Sequence, residues 1–150
     1  MISKVLVILW QIVIFSFSAQ PATDSKSLSS GLTKVVIEFI FPHMSAVRVE
    51  EVAEMLSFAV SKGAHFTVYL VLGVLMYNCI CRIPRFKRAG LTSFVFCFLY
   101  AVSDEIHQIF VDGRAGRVLD VCIDSLGSLC GILLIVFVYG FFKKNQNTHL

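Results

Sequence analysis

The sequence predicts an all-α integral membrane protein that folds as a four-helix transmembrane bundle. Hydrophobic residues make up 57% of the chain and charged residues 15%, and the mean hydropathy is +0.79. A soluble domain carries about 25% charged residues and under about 50% apolar residues. The chain therefore has too little polar surface to cover a water-soluble globule. Long apolar runs separated by short polar segments make burial in a bilayer the expected solution.

Four apolar runs predict the spans within a single domain of residues 1–150, at residues 3–19, 63–81, 91–110 and 118–142. A span needs about 20 residues. The first run is short, and it also resembles a secretory signal peptide, because Lys4 precedes it and the small residues Ser16, Ser18 and Ala19 follow. We favour a retained helix, since the segment from Ser18 to Gln20 is a weak cleavage signal.

The segment between the first two spans, residues 20–62, is predicted to be an external loop that carries short interfacial helices. Residues 18–31 are rich in Ser, Thr, Pro and Ala, which is typical of a loop. Leu32 to Phe41 is apolar at helical spacing and is ended by Pro42. A second amphipathic pattern runs from Val47 to Val60. We expect both to lie at the membrane interface.

The distribution of basic residues predicts the orientation, because cytoplasmic loops carry an excess of Lys and Arg. With four spans the flanking basic groups fall on one side: Lys4, the cluster from Arg82 to Arg88, and Lys143 with Lys144. Both termini are then cytoplasmic at the cell membrane, and residues 20–62 and 112–117 are external. Arg114 and Arg117 oppose the rule, so we expect them to serve a purpose other than orientation.

Ionisable residues of three spans are expected to meet near the outer face. A helix rises about 1.5 Å per residue, so Asp104 lies roughly 20 Å from Leu91, about two-thirds of the way across a 30 Å hydrocarbon core. The same count along the second and fourth spans brings His65 and Asp124 to a similar depth. A charge that faces lipid costs about 2.5–3.5 kcal/mol on insertion. These faces are therefore expected to point inward.

Helical spacing places the polar residues of each span on shared faces. The sets are Asp104 with His107 and Gln108, Asp120 with Asp124, and Lys62 with His65. Gly127 and Gly131 continue the face of Asp124, and small residues four apart permit close helix packing. A purely structural ion network is the alternative, in which Lys62 pairs with Glu105 and the two arginines pair with the aspartates of the fourth span.

Rare polar residues at fixed spacing recur along nearly the whole chain. They are Ser103-Asp104-Glu105-Ile106-His107-Gln108-Ile109-Phe110, Gly113-Arg114, Asp120, Asp124-Ser125-Leu126-Gly127 and Gly131, preceded by Phe15 to Pro21, Lys62 to Phe66, Tyr69 and Leu72-Gly73. This combination resembles the VanZ-like family. Asp112 stands where that family's pattern has Pro, which affects the turn geometry, and position 124 is often Asn in the family. The resemblance implies a link to resistance to teicoplanin, a lipoglycopeptide that acts at the outer membrane face.

The favoured hypothesis is a membrane enzyme that acts on a lipid-linked or cell-envelope substrate. Asp104 or Glu105 is the expected general base, and His107 the expected proton shuttle, because imidazole exchanges protons near neutral pH. The residues expected to bind the substrate are Lys62, His65, Gln108, Arg114, Arg117, Asp120 and Asp124. The arginines suit an anionic group such as phosphate. Carboxylate with imidazole is compatible with Mn²⁺ or Zn²⁺, but no spacing singles out a metal, and no cofactor is indicated.

Three other classes of function stay open at this point. The site could bind a lipid headgroup or antibiotic without catalysis, it could be a structural ion network in a larger assembly, or, least well supported, it could belong to a transporter. The expected partners are membrane lipids and a lipid-linked cell-wall precursor or a lipoglycopeptide. The net charge of +3 is too small to argue for nucleic acid. The oligomeric state is not indicated.

Overall fold

The computed structural model describes residues 2–85 and 88–146, with side chains up to residue 141. This part of the chain is all-helical, which confirms the predicted class. Its five helices are α1 (Ile2–Ser18), α2 (Ala22–Ile40), α3 (Ala46–Ile80), α4 (Ala89–Gln108) and α5 (Val118–Gln146). Lys87 of the basic cluster and the side chains of Lys143 and Lys144 lie outside the described residues.

Three of the described helices, α3, α4 and α5, are long and apolar enough to cross a membrane. The pair α1 and α2 passes the same test only when taken together, and the two helices are bent by 102° at a short break. Counting that pair as one span gives four. Helix α1 alone has 17 residues, which is about 25 Å at 1.5 Å per residue. The apolar helices support a multi-pass membrane protein, and the count of four spans stays a prediction.

The prediction of a loop before Leu32 is wrong, because α2 is a continuous helix from Ala22 to Ile40. Its hydroxyl side chains bond back into the helix: Ser29 donates to the carbonyl of Ser25 at 3.0 Å, and Thr33 to that of Ser29 at 2.6 Å. Such bonds let Ser and Thr sit inside a helix that packing stabilises. The predicted end before Pro42 is confirmed.

The second predicted amphipathic helix is not separate from the second span. Both belong to α3, whose 35 residues extend for about 52 Å. Helix α2 folds back on its first half, where Ile37, Val49 and Ala53 form a small buried cluster. Lys34 Nζ lies 2.5 Å from Glu50 Oε2 across the same contact. The expected pair of short helices is thus a helical hairpin, and its position at the membrane interface stays a prediction.

Close contact between α3 and α5 organises the bundle. A Cβ atom at Gly127 would overlap the carbonyl of Phe66, and one at Gly131 would overlap that of Leu70. Gly73 faces the backbone of Ser128 in the same way. Moving from Gly127 to Gly131 along α5 moves the contact from Phe66 to Leu70 along α3, so the two helices run in the same direction. The close packing predicted from Gly127 and Gly131 is confirmed, and Gly73 adds to it from the other helix.

Helix α1 packs against α3 and α4 through hydrogen bonds to backbone carbonyls. Trp10 donates its indole N–H to Val68 at 2.8 Å, and the Tyr100 hydroxyl donates to Gln11 at 2.7 Å. Tyr69 and Leu72 are fully buried in the adjoining core. Ser18 at the end of α1 reaches α4 at Asp104, near the start of the apolar part of α3. This places Lys4 toward the opposite end of the bundle.

The glycine contact between α3 and α5 predicts that a methyl group added at Gly131 destabilises the protein, whereas one added at an open glycine does not. Gly131→Ala places a Cβ against the Leu70 carbonyl, and overpacking costs about 1–3 kcal/mol. We expect the melting temperature in detergent to fall by roughly 2–12 °C, at about 2–4 °C per kcal/mol. The control is Gly140→Ala, since nothing lies within 4 Å of a Cβ there. Equal melting temperatures for the two variants would contradict the close packing.

Candidate functional site

The ionisable residues meet at one end of the bundle, away from the α3–α4 connection. That end is formed by the middle of α3, the end of α4, the following turn, the start of α5 and the start of α2. The α3–α5 contact sets which side chains face each other. Asp124 and Asp120 lie three and seven residues before Gly127 along α5, so the face that carries the glycines carries carboxylates nearer the start of the helix.

Lys62 and Asp120 form the outermost pair across α3 and α5. The ammonium Nζ lies 2.5 Å from Asp120 Oδ1, and the two side chains are 16% and 8% exposed. Removing one partner of a buried pair costs about 3–5 kcal/mol, because the other charge is stranded. This pair corrects the structural alternative in which Lys62 was matched with Glu105. Among the described residues of the site, Lys62 and Asp120 form the ion pair with direct contact between two charged groups.

One turn deeper, His65 faces Asp124. His65 Nδ1 lies 3.4 Å from Asp124 Oδ1, and the Asp124 side chain is 1% exposed. The alignment falls outside hydrogen-bond geometry, so these atoms have no such partner among the described residues. A carboxylate held against one ring nitrogen fixes the orientation of the other.

The three residues expected to be catalytic serve as joints between helices. The Ser18 hydroxyl of α1 donates to Asp104 Oδ2 at 2.8 Å. Glu105 Oε1 accepts the backbone N–H of Arg117 at 2.5 Å, just before α5 begins. The ring of His107 lies 4.4 Å from that of Phe15, on α1. Asp104 and Glu105 are buried, and each connects α4 to a neighbouring segment.

Arg114 ties the turn before α5 to the end of α1. Its guanidinium donates to the carbonyls of Gln20 at 2.8 Å and Phe17 at 3.3 Å, and to the Gln108 side chain at 3.0 Å. A cation is favoured at a helix C-terminus, where carbonyls lack helical partners. Gly113 precedes it with φ of 71°, a conformation that suits glycine. This contact gives Arg114 a structural role independent of the positive-inside rule.

A polar cavity of about 310 Å³ opens at this end of the bundle. Six of the seven residues expected to bind substrate line it, namely Lys62, His65, Gln108, Arg114, Arg117 and Asp120. The seventh, Asp124, lies behind His65. Asp104, Glu105 and His107 do not line this cavity. The expected binding residues and the expected catalytic residues are therefore separated in space.

Sequence analysis missed one cation and a set of hydroxyls of this cavity. Lys26 lines it, with Ser25, Ser29, Ser57 and Ser61. All sit on the facing sides of α2 and the first half of α3. The signal was available as the spacing of Ala22, Ser25 and Ser29, which share one face of a helix. It was hidden because the Ser-rich composition favoured a loop.

Within residues 2–85 and 88–146 no group of three or more His, Cys, Asp or Glu residues is arranged to hold a metal ion. The site instead combines cations, hydroxyls and one imidazole around a polar space. Cations and hydroxyls bind anions, and imidazole transfers protons near neutral pH. The arrangement is thus chemically suited to an anionic ligand.

The fold and the site define a class of protein: an all-helical membrane protein with a cation-lined polar cavity at one end of its bundle. The family model described as VanZ/LLP1 matches residues 4–139. The chain belongs to this family, and the resemblance seen in its motifs is confirmed. Comparison with curated proteins gave no match, and neither did comparison with solved structures.

The bond from Arg117 to Glu105 predicts which property of Glu105 stabilises the fold. Glu105→Gln keeps an acceptor oxygen, so we expect its melting temperature to stay within about 2 °C of wild type. Glu105→Ala strands a partly buried N–H, which costs about 1–3 kcal/mol, or roughly 2–12 °C. The exposed Glu51→Ala is the matched control. A Gln variant as unstable as the Ala variant would show that the charge itself holds the structure.

Proposed function

We propose that this VanZ-family protein acts on a lipid-linked or cell-envelope substrate held in the polar cavity at the outer face of the cell membrane. The observation that carries the proposal is the lining of that cavity, which combines four cationic side chains with His65 at the end of an apolar bundle. Charged side chains within a membrane bundle are costly and mark functional sites by default. Family membership alone leaves the activity open.

In this proposal His65 transfers the proton and Asp124 orients it. His65 lines the cavity, and the buried Asp124 carboxylate lies 3.4 Å behind its Nδ1 atom. The roles that sequence analysis assigned to Asp104, Glu105 and His107 change accordingly. Asp104 bonds to Gln108 at 3.4 Å, and Gln108 holds Arg114. Asp104 therefore acts as a positioning residue for the anion-binding side of the cavity.

The orientation of the chain belongs to the same proposal. The cavity lies at the end of α4 and the start of α5, whereas Arg82 and Arg85 follow α3 at the opposite end. Lys4 lies toward that opposite end as well. Under the positive-inside rule that end is cytoplasmic and the cavity is external. An external cavity suits a link to resistance against lipoglycopeptides, which act outside the cell.

Fusion reporters test this orientation. Alkaline phosphatase needs disulfides that form only outside the cytoplasm. We expect high phosphatase activity for a fusion after Arg117 and background activity for a fusion after Arg85. Green fluorescent protein at the same two sites should give the inverse pattern. A reversed pattern would place the cavity in the cytoplasm and would contradict an external substrate.

The acid–base role is tested by teicoplanin tolerance of a susceptible bacterium that expresses each variant. Loss of a general acid–base group costs about 10²–10⁴ in rate, so we expect His65→Gln to match the empty vector. Asp124→Asn should be intermediate, because an amide oxygen still orients the imidazole. His43→Gln is the matched control, since His43 is exposed in the α2–α3 turn.

Membrane abundance and melting temperature of each variant separate activity from folding. A well-folded His65→Gln protein with full tolerance would reject proton transfer. If Arg114→Gln lost tolerance in the same series, the protein would be a binder of its ligand without catalysis. Wild-type protein that gives no tolerance at all would reject the link to lipoglycopeptides.

A further inference from the structure

A second cavity adjoins the polar one and is apolar. It has a volume of about 240 Å³ and lies inside the bend between α1 and α2, against α3. Ile14 and Phe17 line it from α1, Leu28 and Leu32 from α2, and Val68 from α3. We call it the elbow cavity. Few polar atoms face this cavity, so its surface is suited to a hydrocarbon chain.

The polar cavity and the elbow cavity share one wall. Ser25, Ser29, Ser61, His65 and Arg114 line both. A ligand that filled both would therefore place its polar part against the shared side chains and its apolar part beyond them. Pockets that take small ligands have volumes of about 300–1,000 Å³. The polar cavity lies at the lower end of that range and the elbow cavity lies below it, so the two adjoining spaces together offer room for a larger, amphiphilic ligand.

The charge of the polar cavity selects the headgroup. Four cations line it, Lys26, Lys62, Arg114 and Arg117, against the single carboxylate of Asp120 among the described lining residues. With His65 neutral this leaves a surplus of three positive charges. Lys62 is engaged by Asp120, and Arg114 bonds only to neutral acceptors and so keeps its charge. An anionic headgroup neutralises the surplus.

Lys26 and Arg117 are the cations free to meet that headgroup. Both are exposed, and their side chains make no hydrogen bond or ion pair to the described part of the chain. They approach the cavity from α2 and from the turn before α5. Arg in particular binds phosphate through two parallel N–H bonds.

We infer that the protein binds an amphiphile with a phosphate headgroup, whose headgroup lies in the polar cavity and whose chain lies in the elbow cavity. This inference rests on the proposed function and names its substrate class. Lys26 and Arg117 hold the phosphate, and Arg114 lies between headgroup and chain. The bend between α1 and α2 supplies the chain site, so the ligand enters sideways from the bilayer.

Lipid selectivity in nanodiscs of phosphatidylcholine tests the headgroup site. The probes are spin-labelled phosphatidic acid and spin-labelled phosphatidylcholine, and the readout is the motionally restricted fraction. For wild type we expect phosphatidic acid to bind roughly tenfold more tightly, or better, as charge-assisted bonds require. The double variant Lys26→Gln, Arg117→Gln should remove that preference. Lys4→Gln with Arg82→Gln is the control, which removes the same charge at the opposite end.

A bulky side chain tests the elbow cavity. Leu28→Trp fills it and should weaken phosphatidic acid binding by roughly tenfold. Leu133→Trp is the control, because Leu133 is exposed on α5 and lines neither cavity. Melting temperatures confirm that each variant is folded. Controls that weaken binding as much as the test variants would overturn the assigned sites.

Two further results would overturn the inference. Equal binding of phosphatidylcholine would reject an anionic headgroup, and competition by inorganic phosphate as strong as that of the lipid would reject a chain site. Binding is measured without turnover, which separates this inference from the proposed function. Lipid selectivity with full tolerance in His65→Gln contradicts the proposed function alone. Absent selectivity with tolerance lost in His65→Gln contradicts this inference alone.

Discussion

The backbone contact between α3 and α5 is the constraint on which the rest of the structure depends. In a bilayer the hydrophobic effect does not drive apolar helices together, because the lipid chains are equally apolar. Close packing and hydrogen bonds between the helices must therefore hold the bundle together. Gly73, Gly127 and Gly131 supply that packing, because a Cβ at any of them would meet a facing backbone. The same register brings Lys62 to Asp120 and His65 to Asp124. A shift of one residue turns a helix by about 100° and separates both pairs.

Asp104 and Glu105 of α4 perform a different task from the residues that line the polar cavity. Asp104 and Glu105 fasten α4 to the end of α1 and the start of α5, and Arg114 fastens the turn to α1. The backbone N–H of Ala22 also bonds to the Asp112 carbonyl at 3.1 Å, which links the two turns directly. These bonds set the position at which α2 leaves α1. The elbow cavity and the polar cavity both follow from that position.

Sequence patterns predicted the all-helical class, the apolar segments and the gathering of charges because these depend on hydropathy and on distance along a helix. Three features depend on contacts between helices and were out of reach. The first half of α2 was missed, because packing on α3 overrides its Ser-rich composition. The partner of Lys62 depends on the register of α3 against α5. The separation of Glu105 from the cavity depends on the rotation of α4 about its axis, which depth alone does not give.

The position of the two cavities matters energetically for a ligand drawn from a membrane. Moving a hydrocarbon chain into water costs about 0.8 kcal/mol for each methylene, so lifting ten methylenes out of the bilayer costs roughly 8 kcal/mol. A purely polar site at the membrane surface would face that cost for a lipid whose chain it exposed. In the proposed binding mode the elbow cavity avoids that cost, since Ile14, Leu28 and Val68 offer apolar contact beside the cations. In that binding mode the bend between α1 and α2 allows the surplus of positive charge to act on a headgroup while the chain stays out of water.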